Sequence, residues 1–264
     1  MAYRLLAVDL DGTLLRADGR VDDRDRAAIA ELQRAGVVVT IVTGRLWSGS
    51  LGAARACSIE GAIACVEGSH LIEVESKKTL AHHAMSPEVV QLLRGAFAGL
   101  ASFVFEADAI HHDERGEPFA RYVSTWSPNM RLVEEPRIWV NEPLAAVAIG
   151  EARAVAAAHD ALRPHADRIF SVSFAVSSCP GMHAVLVRAA GPNKGTALAE
   201  LCRTAGCTLA DAVAIGDWVN DVPMFEVAGR SFCMGSAPDA VRAKATDALP
   251  LGKGIDEAIR RAWG

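Results

Sequence analysis

At 264 residues, 51% of them hydrophobic, the chain suits one large α/β domain or two domains of ordinary size, with ample material for a packed core. A formal net charge of −5, with no run of Lys or Arg, offers nothing to nucleic acid or anionic lipid, and neither is expected as a partner. No leader-like segment opens the chain and no apolar run reaches the roughly 18 residues of a membrane span, so a cytoplasmic location is expected.

In chain order, the first predicted element is a strand over LLAVD at 5–9, followed by a helix within VDDRDRAAIAELQRAG, where Ile29 and Leu32 make the apolar stripe and Gly36 the stop. VVVTIVTG at 37–44 reads as a second strand, completing a βαβ unit. The run is β-branched and not alternating, as in strands buried on both faces of a parallel sheet. The block from about 84 to 190 differs. It mixes strand candidates (SFVFEA, AAVAIG, RIFSVSFAV, HAVLVRA) with helices expected at about 86–98 and 151–163. Ser86-Pro87 and Gly191-Pro192 are expected hinges into and out of it. NKGTALAELCRTAG then reads as a helix leading into a third buried strand, AVAIGD at 212–217.

The six cysteines, with no C-x-x-C pair, are expected as reduced and mostly buried thiols. The His82-His83 pair and His111-His112-Asp113-Glu114 are expected at polar strand ends or loops, since adjacent side chains on a strand point to opposite faces.

Each core strand candidate ends in a polar group: Asp9, Thr43 and Asp217. An open α/β sheet places its ligand beyond the carboxyl ends of its strands. Asp9 and Asp11 are separated by one leucine, and carboxylates that close resist joint ionisation unless a cation or a proton-transfer task holds them. A positive partner is therefore expected.

The ordered set DLDGTL, TGR, NKG and GDWVNDVPMF resembles the haloacid dehalogenase superfamily of phosphohydrolases, and within it the Cof-like branch. The resemblance implies an α/β fold, a Rossmann-like three-layer core with a parallel sheet over 1–83 and 190–264, and an inserted α+β cap of the C2 type over 84–189. It implies a Mg²⁺-dependent phosphatase that acts through an aspartyl-phosphate on a small-molecule phosphomonoester, with a sugar phosphate as the expected substrate.

Beside that resemblance each residue has its own chemistry. Asp9 is placed to attack phosphorus. Asp11, two positions on, protonates the leaving oxygen and then deprotonates water. Gly12 permits the turn and Thr13 ties it down. Thr43 offers a hydroxyl and Gly44 an approach to backbone amides for a phosphoryl oxygen, and Lys194 neutralises charge on the transferring group. Asp217, Asp9 and the backbone carbonyl of Asp11 are the expected Mg²⁺ ligands. Asn220 resembles the family residue that bonds near the phosphate, and Asp221 the one that orients the metal shell and the lysine. Bland readings stand next to these: turn residues for Asp9 and Asp11, helix caps for Thr43, Asn220 and Asp221, a surface amine for Lys194.

Glu67 replaces the Asn usual in relatives and Trp218 a small or polar residue; both are expected to lie clear of the catalytic set. Arg115, Arg121, Arg131, Arg137 and the His111-His112 pair are candidates for substrate contacts in the cap. A phosphosugar mutase of the same superfamily and a non-catalytic phosphoryl-binding regulator are the alternative functions, and the pattern is silent on oligomeric state.

Overall fold

The structure is a computed structural model, and it describes residues 3–264. Contacts divide the chain into two compact units. One comprises the chain up to Gly44, Ser50–Ala81 and Asn193–Gly264, and the other Arg45–Gly49 with His82–Pro192.

The first unit is built on β1 (Leu5–Val8) and β2 (Val38–Ile41), joined by α1 (Asp23–Arg34). After α2 (Trp47–Ala56) come β3 (Ala62–Cys65), β4 (His70–Glu73) and β5 (Thr79–His82). The C-terminal part adds α6 (Lys194–Thr204), β12 (Ala212–Gly216), α7 (Val222–Val227), β13 (Arg230–Cys233), α8 (Asp239–Arg242), β14 (Asp247–Ala248) and α9 (Ile255–Trp263). The five-stranded sheet runs β14-β13-β12-β1-β2 and is parallel throughout. Leu5 and Ala7 of β1 join Ala212 and Ala214 of β12 in a core with Leu198 and Leu201 of α6 and Met224 and Phe225 of α7. Strand alternation sends Leu6, Val8, Val213 and Ile215 to the other face, and all four are buried. Contacts of α1 with β2 and of α9 with β12 account for that side.

The second strand ends earlier than the sequence suggests, at Ile41, so Val42, Thr43 and Gly44 leave the sheet as a turn. Val42 keeps a single bridge to Ala64, and the Thr40 hydroxyl donates to the Ala62 carbonyl at 2.7 Å, which joins β3 to the parallel sheet. The antiparallel set β3-β4-β5 is not anticipated by the sequence reading.

Helix α1 starts where Asp22 accepts the Arg24 N–H at 2.8 Å. Asp25, on its first turn, is buried and accepts the Asp256 N–H at the start of α9 at 2.9 Å. Burial, followed by the charges of Asp256 and Asp22, outweighs that bond and pushes the Asp25 carboxyl up to about 6. Because the folded value exceeds the unfolded one, stability falls as pH rises from about 4 to about 6, and the full cost persists above that window. Asp25→Asn keeps the acceptor oxygen and removes the charge. It is expected to stabilise the protein by about 1–2 kcal/mol at pH 8 and by almost nothing at pH 4, read from urea unfolding at both pH values.

The second unit contains α3 (Pro87–Ala96), β6 (Ala101–Phe105), β7 (Ile110–His112), α4 (Ala120–Val123), β8 (Met130–Leu132), β9 (Ala145–Glu151), α5 (Ala152–Leu162), β10 (Ile169–Ala175) and β11 (Met182–Ala189). Its sheet order is β10-β11-β9-β6-β7-β8, antiparallel except for β7 with β8. Val89 and Leu93 of α3, Phe97 just past its end, and Val155 and Leu162 of α5 pack on Ala146, Ala148, Val185 and Val187 of the sheet. Ser86-Pro87 opens α3: the Ser86 hydroxyl accepts the Val89 N–H and Pro87 takes the first turn, where its missing N–H costs nothing.

His111 and His112 do lie at a strand end, that of β7, but not on a polar surface. Both are buried in β7, His111 Nε2 lies 3.0 Å from a Glu106 carboxylate oxygen and His112 Nδ1 3.0 Å from the Asp113 carbonyl. Arg115 is paired with Asp113 at 2.5 Å, and Arg115 and Arg137 border a cavity of about 820 Å³ in this unit. The segment Arg45–Gly49 is held by the Leu46 N–H to the Trp126 carbonyl at 2.9 Å, the Ser48 N–H to Asp108 at 3.0 Å and a Ser48–Ser127 hydroxyl pair at 2.8 Å.

Candidate active site

The residues singled out in the sequence converge in the first unit. Asp9 follows the last residue of β1, its N–H donating to the Ile215 carbonyl at 2.9 Å, and is 5% exposed. Leu10 turns into the core, while Asp11 is exposed. Gly12 sits at φ +83°, and a Cβ there would lie 2.2 Å from Asp217 Oδ2, so the turn and the close approach both require glycine. The Thr13 hydroxyl donates to the other Asp217 oxygen at 3.3 Å.

Lys194 is the centre of the arrangement. Asn193 caps α6 through the N–H groups of Gly195 and Thr196 at 2.9 and 3.0 Å, which fixes Lys194 in the first turn. Its side chain is fully buried, not a surface amine, and its Nζ donates to Asp9 Oδ1 at 2.6 Å and to Asp221 Oδ1 at 2.7 Å. Asp221 uses its second oxygen to accept the N–H groups of Asp217 and Trp218 at 2.8 and 2.9 Å. One carboxylate thus ties the lysine to the loop carrying Asp217. Thr43 is completely buried; its N–H donates to the Ala64 carbonyl and its own carbonyl accepts the Glu67 N–H, both at 2.9 Å.

Burial pushes the Asp9 carboxyl well above the ordinary carboxylate range, helped by Asp221 and Asp217 and opposed by Lys194. Burial works against the Lys194 ammonium, yet Asp9, Glu67 and Asp221 together hold its proton more tightly than usual. Asp217 is pushed up to about 6 by burial and by the Asp221 charge. Three carboxylates with one ammonium leave an excess of negative charge. Among the described residues, oxygens of Asp9, Asp217 and Asp221 lie within 4.8 Å of one another, the one His/Cys/Asp/Glu grouping able to hold a metal ion. An all-oxygen donor set suits a hard divalent cation.

Two expectations need correction. Glu67 does touch the set: Asn220 Nδ2 donates to Glu67 Oε1 at 2.9 Å, and a Cβ on Gly44 would lie 2.6 Å from that same oxygen. Trp218 touches it through its backbone N–H on Asp221, with its side chain left 55% exposed. The contact of Glu67 spans 153 positions of sequence, and the one local signal for it is the Val66-Glu67-Gly68 turn.

Fold and site together define an α/β protein with an aspartate cluster at the carboxyl ends of its parallel strands. Residues 6–251 match the family described as haloacid dehalogenase-like hydrolase, and the chain belongs to that family, in its Cof-like branch. Its sequence is 28% identical over 240 residues to the HMP-PP phosphatase of Yersinia pseudotuberculosis, covering 89% of this chain and 85% of that one. It is 26% identical over 270 residues to the pyridoxal phosphate phosphatase YbhA of Escherichia coli, covering 98% and 97%. A haloacid dehalogenase-like hydrolase of Bacteroides thetaiotaomicron superimposes with a TM-score of 0.84 at 23% identity, over 98% of this chain and 99% of that one, so the fold is shared end to end.

Proposed function

We propose that the protein is a Mg²⁺-dependent phosphatase of small phosphomonoesters that works through an aspartyl-phosphate on Asp9. The observation that carries this reading is the fully buried Lys194 bridging Asp9 and Asp221 beside Asp217. A structural lysine gains little from such a position, whereas a site that handles phosphoryl charge needs it.

Asp9, Asp217 and the Asp11 carbonyl would hold the cation, since both Asp221 oxygens are engaged elsewhere. When bound, Mg²⁺ supplies charge neutralisation for the phosphoryl oxygens and for the Asp9 carboxylate. An Asp9 oxygen attacks phosphorus, the ester P–O bond breaks, and the exposed Asp11 carboxyl gives its proton to the leaving oxygen. Water then attacks the phosphorus of the aspartyl-phosphate, Asp11 takes a proton from that water, the Asp9–phosphorus bond breaks, and orthophosphate leaves. Thr43, Gly44, Lys194 and Asn220 bind the phosphoryl oxygens, and Thr13 orients Asp217. The unit formed mostly by His82–Pro192 acts as the cap that selects the substrate.

A sugar phosphate is the proposed substrate class, and a test panel should include pyridoxal phosphate because a relative is named for it. The deciding experiment is release of orthophosphate from an aryl phosphate and from this panel, with Mg²⁺ and with chelator. Turnover that requires the metal is expected, with a loss of at least about 100-fold in chelator. Metal-independent turnover, or isomerised ester without phosphate release, defeats the reading.

A further inference from the structure

We propose that Glu67 is a positioning residue of this site: its carboxylate fixes the Asn220 carboxamide and places a negative charge beside the phosphoryl cradle, weakening the hold on orthophosphate and on the phosphoryl group of the ester alike. The inference rests on the phosphatase reading above.

A carboxylate accepts hydrogen bonds and does not donate them, so the 2.9 Å contact dictates that the Asn220 nitrogen, and not its oxygen, faces Glu67. One N–H is used in that bond, and the second is held in a defined direction. No other partner settles the choice, because Asn220 Oδ1 is buried and makes no hydrogen bond. The Glu67 oxygen rests against Gly44, where a Cβ would lie 2.6 Å away, so the missing side chain of Gly44 gives the carboxylate its seat. That seat is next to Thr43, whose carbonyl accepts the Glu67 N–H at 2.9 Å.

The backbone shows that this placement is imposed on the chain. Val66, Glu67 and Gly68 lie in succession at φ +49°, +56° and +92°, a left-handed run that disfavours a β-branched residue and a glutamate. The charge reaches the reactive centre, since after burial and Asp9 it is Glu67 that acts most on Lys194. A fixed anion beside an anion site weakens ground-state and product binding together. Orthophosphate and the phosphoryl group of a monoester are both anions, so a fixed carboxylate beside their site disfavours both.

The test measures binding of orthophosphate by calorimetry in the presence of Mg²⁺, for wild type, Glu67→Gln and Glu67→Asn. Both variants remove the charge; Asn also suits the left-handed backbone, so a structural effect would separate the two while an electrostatic one would not. Both are expected to bind orthophosphate about tenfold more tightly than wild type, with KM for an aryl phosphate falling in parallel and kcat not rising. Affinity within twofold of wild type in both, tightening in only one variant, or no orthophosphate binding in any of the three overturns the proposal. Failure of the phosphatase reading is seen separately, as absence of metal-dependent turnover in wild type.

Discussion

Replacing Asp9 by Asn abolishes turnover, with an expected loss of at least about 10⁴-fold in kcat, while the protein still folds. An amide at this position has neither the nucleophilic oxygen nor the charge for a cation. The fold tolerates the change because Asn retains the shape of Asp9, and Lys194 keeps its 2.7 Å bond to Asp221. Two opposite effects meet in the metal-free protein. The mutation removes a buried carboxylate crowded by Asp221 and Asp217, and it deprives Lys194 of one of two partners. Thermal unfolding without metal should therefore change little, but the rise in Tm that Mg²⁺ gives the wild type should shrink, because a ligand has been lost. Phosphate release and differential scanning fluorimetry on the same preparation read both effects. Activity within tenfold of wild type would remove Asp9 from its role.

Lys194→Met acts on stability as strongly as on catalysis. The ammonium is fully buried and is in contact with two carboxylates. Its removal leaves Asp9, Asp217 and Asp221 without a counter-charge, and breaking a buried pair from one side typically costs about 3–5 kcal/mol. Unpaired carboxylates hold their protons more strongly in the folded state than in the unfolded one, so the loss is larger at pH 8 than at pH 5. Millimolar Mg²⁺ should recover part of it by supplying the missing positive charge. Urea unfolding at the two pH values, with and without the cation, gives the four numbers required. A loss independent of both pH and metal would mean that Lys194 contributes packing and not charge.

The legible part of this molecule is the part encoded by buried strands and their ends. Runs such as LLAV and AVAIG fit no other element in an α/β chain, and the carboxylates that follow them have few places to go except the mouth of the sheet. Lys194 is legible as a motif, but its complete burial is not, because that depends on the Asn193 cap and on Asp9, which lies 185 positions away. The β3-β4-β5 set escapes a reading based on periodicity, since each strand is four residues long. The segment Arg45–Gly49 looks like an ordinary entry to α2, yet Trp126, Asp108 and Ser127 hold it. Glu67 is hidden for the same reason: its partner is fixed by tertiary structure, and its local pattern marks a turn but not the side chain's destination.

The strand order β14-β13-β12-β1-β2 has a consequence for the order in which a ribosome delivers the chain. β1 emerges first and finds β2 within some thirty residues, but its other neighbour, β12, begins only at Ala212. At about 5–20 residues per second, the open edge of Leu5–Val8 waits on the order of 10–40 s for its partner. During that interval a strand that is buried throughout in the finished protein is an unpaired apolar edge. The nascent chain is then most exposed to association with its own copies, and Asp9, at the end of that strand, is placed only when β12 arrives.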